Sequence, residues 1–392
     1  MATFTSQTGS SIERQMLARN PVFERFFARE APRLADGCRQ MAERFLRGGR
    51  LVAFGRGAYA TDAQHVSVEF VHPVIVGKRA LPALDLSALV LTCLQPLIRD
   101  QDIVMGFGPP EGDPEIARLI TAAQECGAMT FSLPGAEGDY AIESFTRDPF
   151  IHQEVIEVLY HTLWETVHVF FEHGELESEA GTAGFLYPFL GRQQQSDGVT
   201  AEVAASILMK VQEDARLRER VAHEQADSIA AAALAIRHAI NRGGKLILFG
   251  NGGSATDAND WAIDCVSPPC GLRPVAAVSL SNEPAVLSAL ANDVGPDVMF
   301  LRQLIAQAQP ADVAVAISTS GGSRNLILAL EEARRRKLTT VALLGYDGGE
   351  IAHRGLADFP IVVPCDYIPR IQEVQASIYH TLRRTLEEAH AG

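Results

Sequence analysis

The sequence predicts an α/β protein of two doubly wound, flavodoxin-like domains, each a parallel sheet flanked by helices on both faces. Three observations predict it. Short apolar runs rich in β-branched residues alternate with helical stretches. Each run is continuously apolar, as in strands buried on both faces. The pattern also occurs twice: "LVAFGRGAYATDAQHVSVE" from Leu51 to Glu69 is answered by "LILFGNGGSATDANDWAID" from Leu246 to Asp264.

The correspondence can be followed along the chain. Phe54 and Phe249 are 195 residues apart, Asp102 and Asp312 are 210 apart, and Gln153 and Gln372 are 219 apart. A duplicated domain whose first copy was trimmed accounts for these growing offsets. In the second copy the strands are "KLILFG", "PVAAVSL", "DVAVAIS", "TTVALLG" and "FPIVVP", with helical segments such as "SRNLILALEEARRRK" between them. The stretch "YPFLGRQQQSDGVT" is polar and carries Pro188, Gly191 and Gly198, so it reads as a linker. The expected division is a domain over 1–185, a linker over 186–199 and a domain over 200–392.

Composition agrees with two packed cores. The 392 residues are 47% apolar and 21% charged, which suits a globular chain of two domains. No basic n-region precedes an apolar run at the N-terminus and no stretch of about 20 apolar residues occurs, so neither a secretory signal nor a membrane span is expected. A cytoplasmic protein follows. The six cysteines include no C-x-x-C pair, which fits reduced thiols. A net charge of −14 without a basic cluster argues against a nucleic-acid partner.

The turn "GNGGS" follows a strand and opens a helix, which exposes backbone N–H groups at the positive end of a helix dipole. "STSGGS", from Ser318 to Ser323, does the same and adds hydroxyls. Two such loops in one sheet make a phosphate cradle. A dinucleotide turn of the G-x-G-x-x-A kind is the rival, but the following strand ends "AAVSLSN" with no acid to hold a ribose, and no P-loop motif occurs. No nucleotide cofactor is expected.

In order and spacing, "GNGGSATDA", "ANDVG", "ISTSGGS" and "RIQEVQASIYH" resemble the sugar isomerase (SIS) domain of the phosphoheptose isomerase family. The match covers most of 200–390 and, more weakly, 14–173. The resemblance implies an isomerase that converts sedoheptulose 7-phosphate to an aldose heptose 7-phosphate, zinc or a similar divalent metal, and a four-domain assembly, here a homodimer of two-domain chains. It assigns phosphate and sugar binding to Asn251, Gly252, Gly253, Ser254, Asn292, Asp293, Ser318, Thr319, Ser320, Ser323 and Gln372. It assigns metal ligation to His65, Glu69, Gln153 and His161, with Glu69 and His161 as the proton-transfer pair.

Each copy departs from the family pattern in a different place. The first has Arg56, Ala58 and Tyr59 in its Gly-rich turn and "GPPEGD" for "STSGGS", where Glu111 and Asp113 are expected to repel phosphate. The second has Asp260 and Asp264 in place of the histidine and glutamate, while Gln372 and His380 remain. Asp264, on a shorter arm, is expected to need a backbone shift to reach a metal or a proton. The copies are therefore expected to be complementary halves of shared sites. The alternative is a SIS-type regulator that senses a sugar phosphate or docks a protein without turnover.

Overall fold

The computed structural model describes residues 2–74, 78–89, 94–175, 196–269 and 271–388. They form two compact units, an N-terminal one of Asn20–Glu213 and a C-terminal one of Asp214–Gly392 together with Met1–Arg19.

The N-terminal unit is built from α2 (Asn20–Leu46), β1 (Leu51–Gly55), α3 (Ala60–Val71), β2 (Ala83–Asp85), β3 (Ile103–Phe107), α4 (Pro114–Glu125), β4 (Met129–Leu133), β5 (Tyr140–Ala141) and α5 (Pro149–Glu175). Its sheet is parallel in the order β2-β1-β3-β4-β5. The C-terminal unit contains α1 (Ala2–Leu17) and continues with β6 (Leu246–Gly250), α7 (Gly253–Val266), β7 (Ala277–Ser279), α8 (Pro284–Asp293), α9 (Met299–Gln307), β8 (Val313–Ser318), α10 (Arg324–Arg335), β9 (Thr339–Gly345), α11 (Gly349–His353), β10 (Phe359–Val363) and α12 (Ile368–Glu388). Its sheet runs β10-β9-β8-β6-β7, the same order read from the other edge. The strand order 2-1-3-4-5 is that of flavodoxin-like folds, and all five strands expected in the second copy are present.

The continuous apolar runs have the physical cause inferred from them. Along β6, Leu246 and Leu248 enter one core with Trp261 of α7 and Leu382 of α12, while Ile247 and Phe249 enter another with Leu304 of α9 and Leu330 of α10. A strand covered on both faces has no solvent side to keep polar. The same alternation puts Leu51 and Ala53 with α2, α3 and α5, and Val52 and Phe54 with α4. Polar clamps recur as well. Asp102 accepts from the Arg50 backbone at the start of β3, as Asp312 accepts from Lys245 at the start of β8.

The division between units differs from the one expected at 185–200. A single helix, α6 (Ser196–Asn241), crosses the boundary. Val203, Ile207 and Val211, one turn apart, are buried in the N-terminal unit's core, whereas Val221, Ile229 and Ile236 belong to the C-terminal unit's core. Residues 1–19 belong with the C-terminal unit because Ile12 and Met16 of α1 are fully buried in that same core. Residues 186–195 of the expected linker lie outside the described residues, and 196–199 already belong to α6. The described cysteines Cys38, Cys126, Cys265 and Cys365 are free thiols. No helix among the described residues is long and apolar enough to cross a membrane.

Candidate active site

In the C-terminal unit β6 and β8 are neighbours, and the helices that follow them pass to opposite faces of the sheet. Ligands of open α/β sheets bind in the crevice this creates beyond the carboxyl ends of the strands. The two loops at this point need glycine. Gly252 has φ +57, and a Cβ on Gly250 would stand 2.3 Å from the Ser254 carbonyl oxygen. Gly321 has φ +62, with the Gly348 carbonyl oxygen 2.1 Å from where its Cβ would be. The loops are tied by a reciprocal amide pair. Asn251 Nδ2 donates to Asn325 Oδ1 at 3.0 Å, and Asn325 Nδ2 donates to Asn251 Oδ1 at 2.9 Å.

The loops also hold their hydroxyls in place. Ser318 Oγ accepts from the Gly321 N–H and Ser320 Oγ from the Gly322 N–H. Ser323 occupies the N-cap of α10 without bonding its own helix, so that helix end is not filled by its capping side chain. Asn251, Gly252, Gly253, Ser254, Thr319, Ser320 and Ser323 lie on these two loops or the first residues of the following helix, and Ser318 ends β8 just before its loop. Asn292 and Asp293 do not. They end α8, a helix with no buried residue, and Asn292 Nδ2 donates to Asp293 Oδ1 at 2.8 Å. Gln372 is buried near the start of α12, on which Gln375 donates to the Ser318 carbonyl.

The N-terminal unit fills the same place with its own charges. Asp113, the counterpart of Ser323, caps α4 by accepting from the Glu115 and Ile116 N–H groups at 2.8 and 3.3 Å. Arg56, the counterpart of Asn251, donates to both Asp113 oxygens at 3.2 and 3.3 Å. A carboxylate at a helix N-terminus satisfies the N–H groups and dipole that would otherwise attract an anion. Asp113 was expected to repel phosphate, and in the structure its carboxylate occupies the helix end. Glu111 is exposed beside it.

Deeper in that unit, His65 and Glu69 project from α3 toward His161 on α5. His65 Nε2 and His161 Nε2 are 3.4 Å apart, and His65 Nε2 is 3.8 Å from Glu69 Oε1. All three residues are buried, and Glu69 Oε2 accepts no hydrogen bond. Two nitrogens bound tetrahedrally at zinc distances stand about 3.3–3.4 Å apart, so the spacing fits a shared ion. Gln153, expected as a fourth ligand, donates its Nε2 to Asp62 Oδ2 at 3.1 Å and to Thr61 Oγ1 at 3.4 Å. It lies eight residues from His161, which is two turns of α5.

The same position in the C-terminal unit also converges. His380 Nε2 lies 3.3 Å from Asp260 Oδ2 and 3.4 Å from Asp264 Oδ2, and the Tyr379 hydroxyl donates to Asp260 Oδ2 at 2.8 Å. Asp264, on a shorter arm than Glu69, comes within 3.4 Å of His380 Nε2. The signal lay in the sequence offsets of 195 and 219, which pair Asp260, Asp264 and His380 with His65, Glu69 and His161.

Burial tunes these groups. It lowers His65 well below the usual histidine range, with His161 adding to the effect, and raises the Glu69 carboxyl to about 8, with Glu165 adding to the effect. Asp264 rises to about 6 through burial and then the nearby Asp260, against opposing effects of His380 and Arg383.

A family model described as "SIS domain" matches residues 211–345. The phosphoheptose isomerase of Geotalea daltonii is 40% identical over 174 residues, 44% of this chain and 90% of that protein. The chain belongs to the phosphoheptose isomerase family of SIS domains. The phosphoheptose isomerase of Pelobacter propionicus is 42% identical over 174 residues, 44% of this chain and 91% of that protein. Such relatives are matched along nearly their whole length, yet each spans less than half of this chain. One solved SIS fold that spans almost all of it is the C-terminal domain of glucosamine-fructose-6-phosphate aminotransferase from Francisella tularensis. Its TM-score is 0.60 at 9% identity, covering 97% of this chain and 93% of that one. Tagatose-6-phosphate ketose/aldose isomerase from Escherichia coli matches with a TM-score of 0.57 at 13% identity, covering 97% and 93%.

Proposed function

We propose that the protein is an aldose–ketose isomerase of a phosphorylated sugar, with sedoheptulose 7-phosphate as the best candidate, and that the loops of the C-terminal unit hold the phosphate. The observation that carries this reading is the Asn251–Asn325 pair, which joins two glycine- and hydroxyl-rich loops at the switch point of a sheet. The names of the relatives point the same way.

The reaction removes a proton from the carbon beside the carbonyl, passes through an enediolate and returns the proton one carbon along. In this reading Glu69 is the base and His161 its partner. With no cation bound, burial raises the Glu69 carboxyl to about 8. His65, held neutral by burial, keeps a lone pair for ligation. His65, Glu69 and His161 are the residues that would hold zinc or a similar divalent ion, whose chemistry is to steady negative charge on a substrate oxygen. The assembly in this reading is a homodimer, the substrate the only further partner, and the location the cytoplasm.

One observation favours a second reading, a SIS-type regulator without turnover. Neither unit combines open phosphate loops with the full His, Glu, Gln and His set. Purified protein incubated with sedoheptulose 7-phosphate and followed by sugar NMR separates the two. New aldose signals are expected, and Glu69→Gln should remove them. Tight binding with no conversion would favour the regulator.

A further inference from the structure

The phosphate cradle of the C-terminal unit holds donors in readiness, and a single unpaired cation stands beside it. Ser254, in the first turn of α7, is only 4% exposed, yet its hydroxyl makes no hydrogen bond among the described residues. Buried polar groups are normally paired, so an unpaired hydroxyl at this crevice points to a ligand. Ser323 likewise leaves the N-terminus of α10 without a side-chain cap. Backbone N–H groups and hydroxyls bring only partial positive charge, however, whereas a phosphate ester carries about two negative charges at neutral pH.

Charge balance singles out one residue. In the loops at the carboxyl ends of β6 to β10 and the first turns of the helices that directly follow them, the lysine and arginine residues are Arg324 and Arg370 alone. Arg370 is 4% exposed, and its Nη1 donates to both carboxylate oxygens of Glu373, so its charge is balanced within the fold. Arg324 is exposed, and its side chain has no hydrogen bond or ion pair among the described residues. It is the first residue of α10, directly after the N-cap Ser323. A positive charge in the first turn opposes the helix dipole, which makes this a poor place for a cation with no anion nearby. The N-terminal unit avoids the conflict. Pro114 takes the corresponding position of α4, and the arginine of that crevice, Arg56, is paired with the capping Asp113. In the C-terminal unit the capping carboxylate is gone and an arginine stands at the helix end, so the anion that completes the arrangement has to come from a ligand.

We infer that Arg324 is a phosphate-binding residue of the C-terminal cradle, its guanidinium bonding two oxygens of the ester group that the Ser254 and Ser320 loops and the α10 N-terminus hold. The planar fork of an arginine matches two oxygens of one phosphate, which a single ammonium does not. The inference deepens the sugar-phosphate reading and rests on it, but it does not need turnover to hold.

The test titrates the full chain with inorganic phosphate, followed by phosphorus NMR line broadening. Arg324→Met, which keeps an unbranched arm of similar helix propensity and removes the donors, should weaken binding by at least about tenfold. Arg324→Lys, which restores the charge without the fork, should recover only part of that loss. Without phosphate, the melting temperature of Arg324→Met should equal or exceed that of the parent, because a cation has left the helix end. Binding by Arg324→Met within threefold of the parent overturns the inference. Full recovery in Arg324→Lys does the same, since it means charge acting at a distance instead of contact. A lower melting temperature of ligand-free Arg324→Met also overturns it, by making Arg324 a structural residue. Ser320→Ala separates this result from the reading beneath it. Phosphate binding lost in Ser320→Ala but kept in Arg324→Met leaves the cradle standing and removes Arg324 alone, whereas a parent protein that binds no phosphate, or binds it no better than Ser320→Ala does, overturns both.

Discussion

Copying one residue of the N-terminal unit into the C-terminal unit should strengthen the fold and disable the phosphate cradle. Ser323→Asp places at the N-cap of α10 the carboxylate that Asp113 places at the N-cap of α4. The backbone accepts it, since both positions are extended, with ψ 121 in each. Ser323 makes no side-chain capping bond, so the new carboxylate gains the two N–H groups that its counterpart uses at 2.8 and 3.3 Å. Capping and the helix dipole together are worth about 0.5–2 kcal/mol, and the melting temperature should rise. Ligand binding moves the other way. A charge pair at about 4 Å costs about 1 kcal/mol in water and about 4 kcal/mol at the screening typical of protein surfaces. A phosphate dianion doubles this, so affinity should fall by at least about 2 kcal/mol, roughly 30-fold. Isothermal titration with a sugar phosphate and a thermal melt of the same sample measure both signs at once. Binding within threefold of the parent protein would refute the placement of phosphate at the α10 terminus. A fall in melting temperature would refute the capping argument.

Other outcomes follow from the same geometry. Ser320→Ala should weaken sugar-phosphate binding by about 1–3 kcal/mol by titration, while Glu111→Ala leaves it unchanged. Gly321→Ala forces a side chain into a positive φ with its Cβ 2.1 Å from the Gly348 carbonyl oxygen, so a loss above about 2 kcal/mol in urea unfolding is expected, together with weakened phosphate binding. Asp214 is fully buried and paired with Arg218, and burial raises its carboxyl to about 6 against the opposing pull of that guanidinium. The native state then keeps a proton that the unfolded chain has released, so stability should fall as pH rises from about 4 to about 6. In Asp214→Asn that part of the slope should vanish, whatever the overall loss from breaking the pair.

What the sequence determined by itself was the part written in local pattern. Continuous apolar runs identify strands such as Val313–Ser318 because a strand between two helix layers needs apolar side chains on both faces. Glycines at 252 and 321 mark turns because no other residue enters those backbone angles cheaply. Spacing of four residues put His65 with Glu69 and Asp260 with Asp264 on single helix faces. The tertiary structure decided what those faces meet. Helix periodicity fixes a direction around the axis but says nothing of the level at which a neighbouring helix crosses, so it was packing that sent Gln153 to Asp62 and brought His380 to Asp264. Packing also assigned residues 1–19 to the C-terminal unit. An apolar stripe such as Ile12 and Met16 requires a partner, but the sequence carries no label saying which core will bury it. The exchange of Asn251–Asn325 for Arg56–Asp113 has the same origin. The residue types are visible in the chain, while their pairing across loops more than 50 residues apart exists only once β1 lies beside β3 and β6 beside β8.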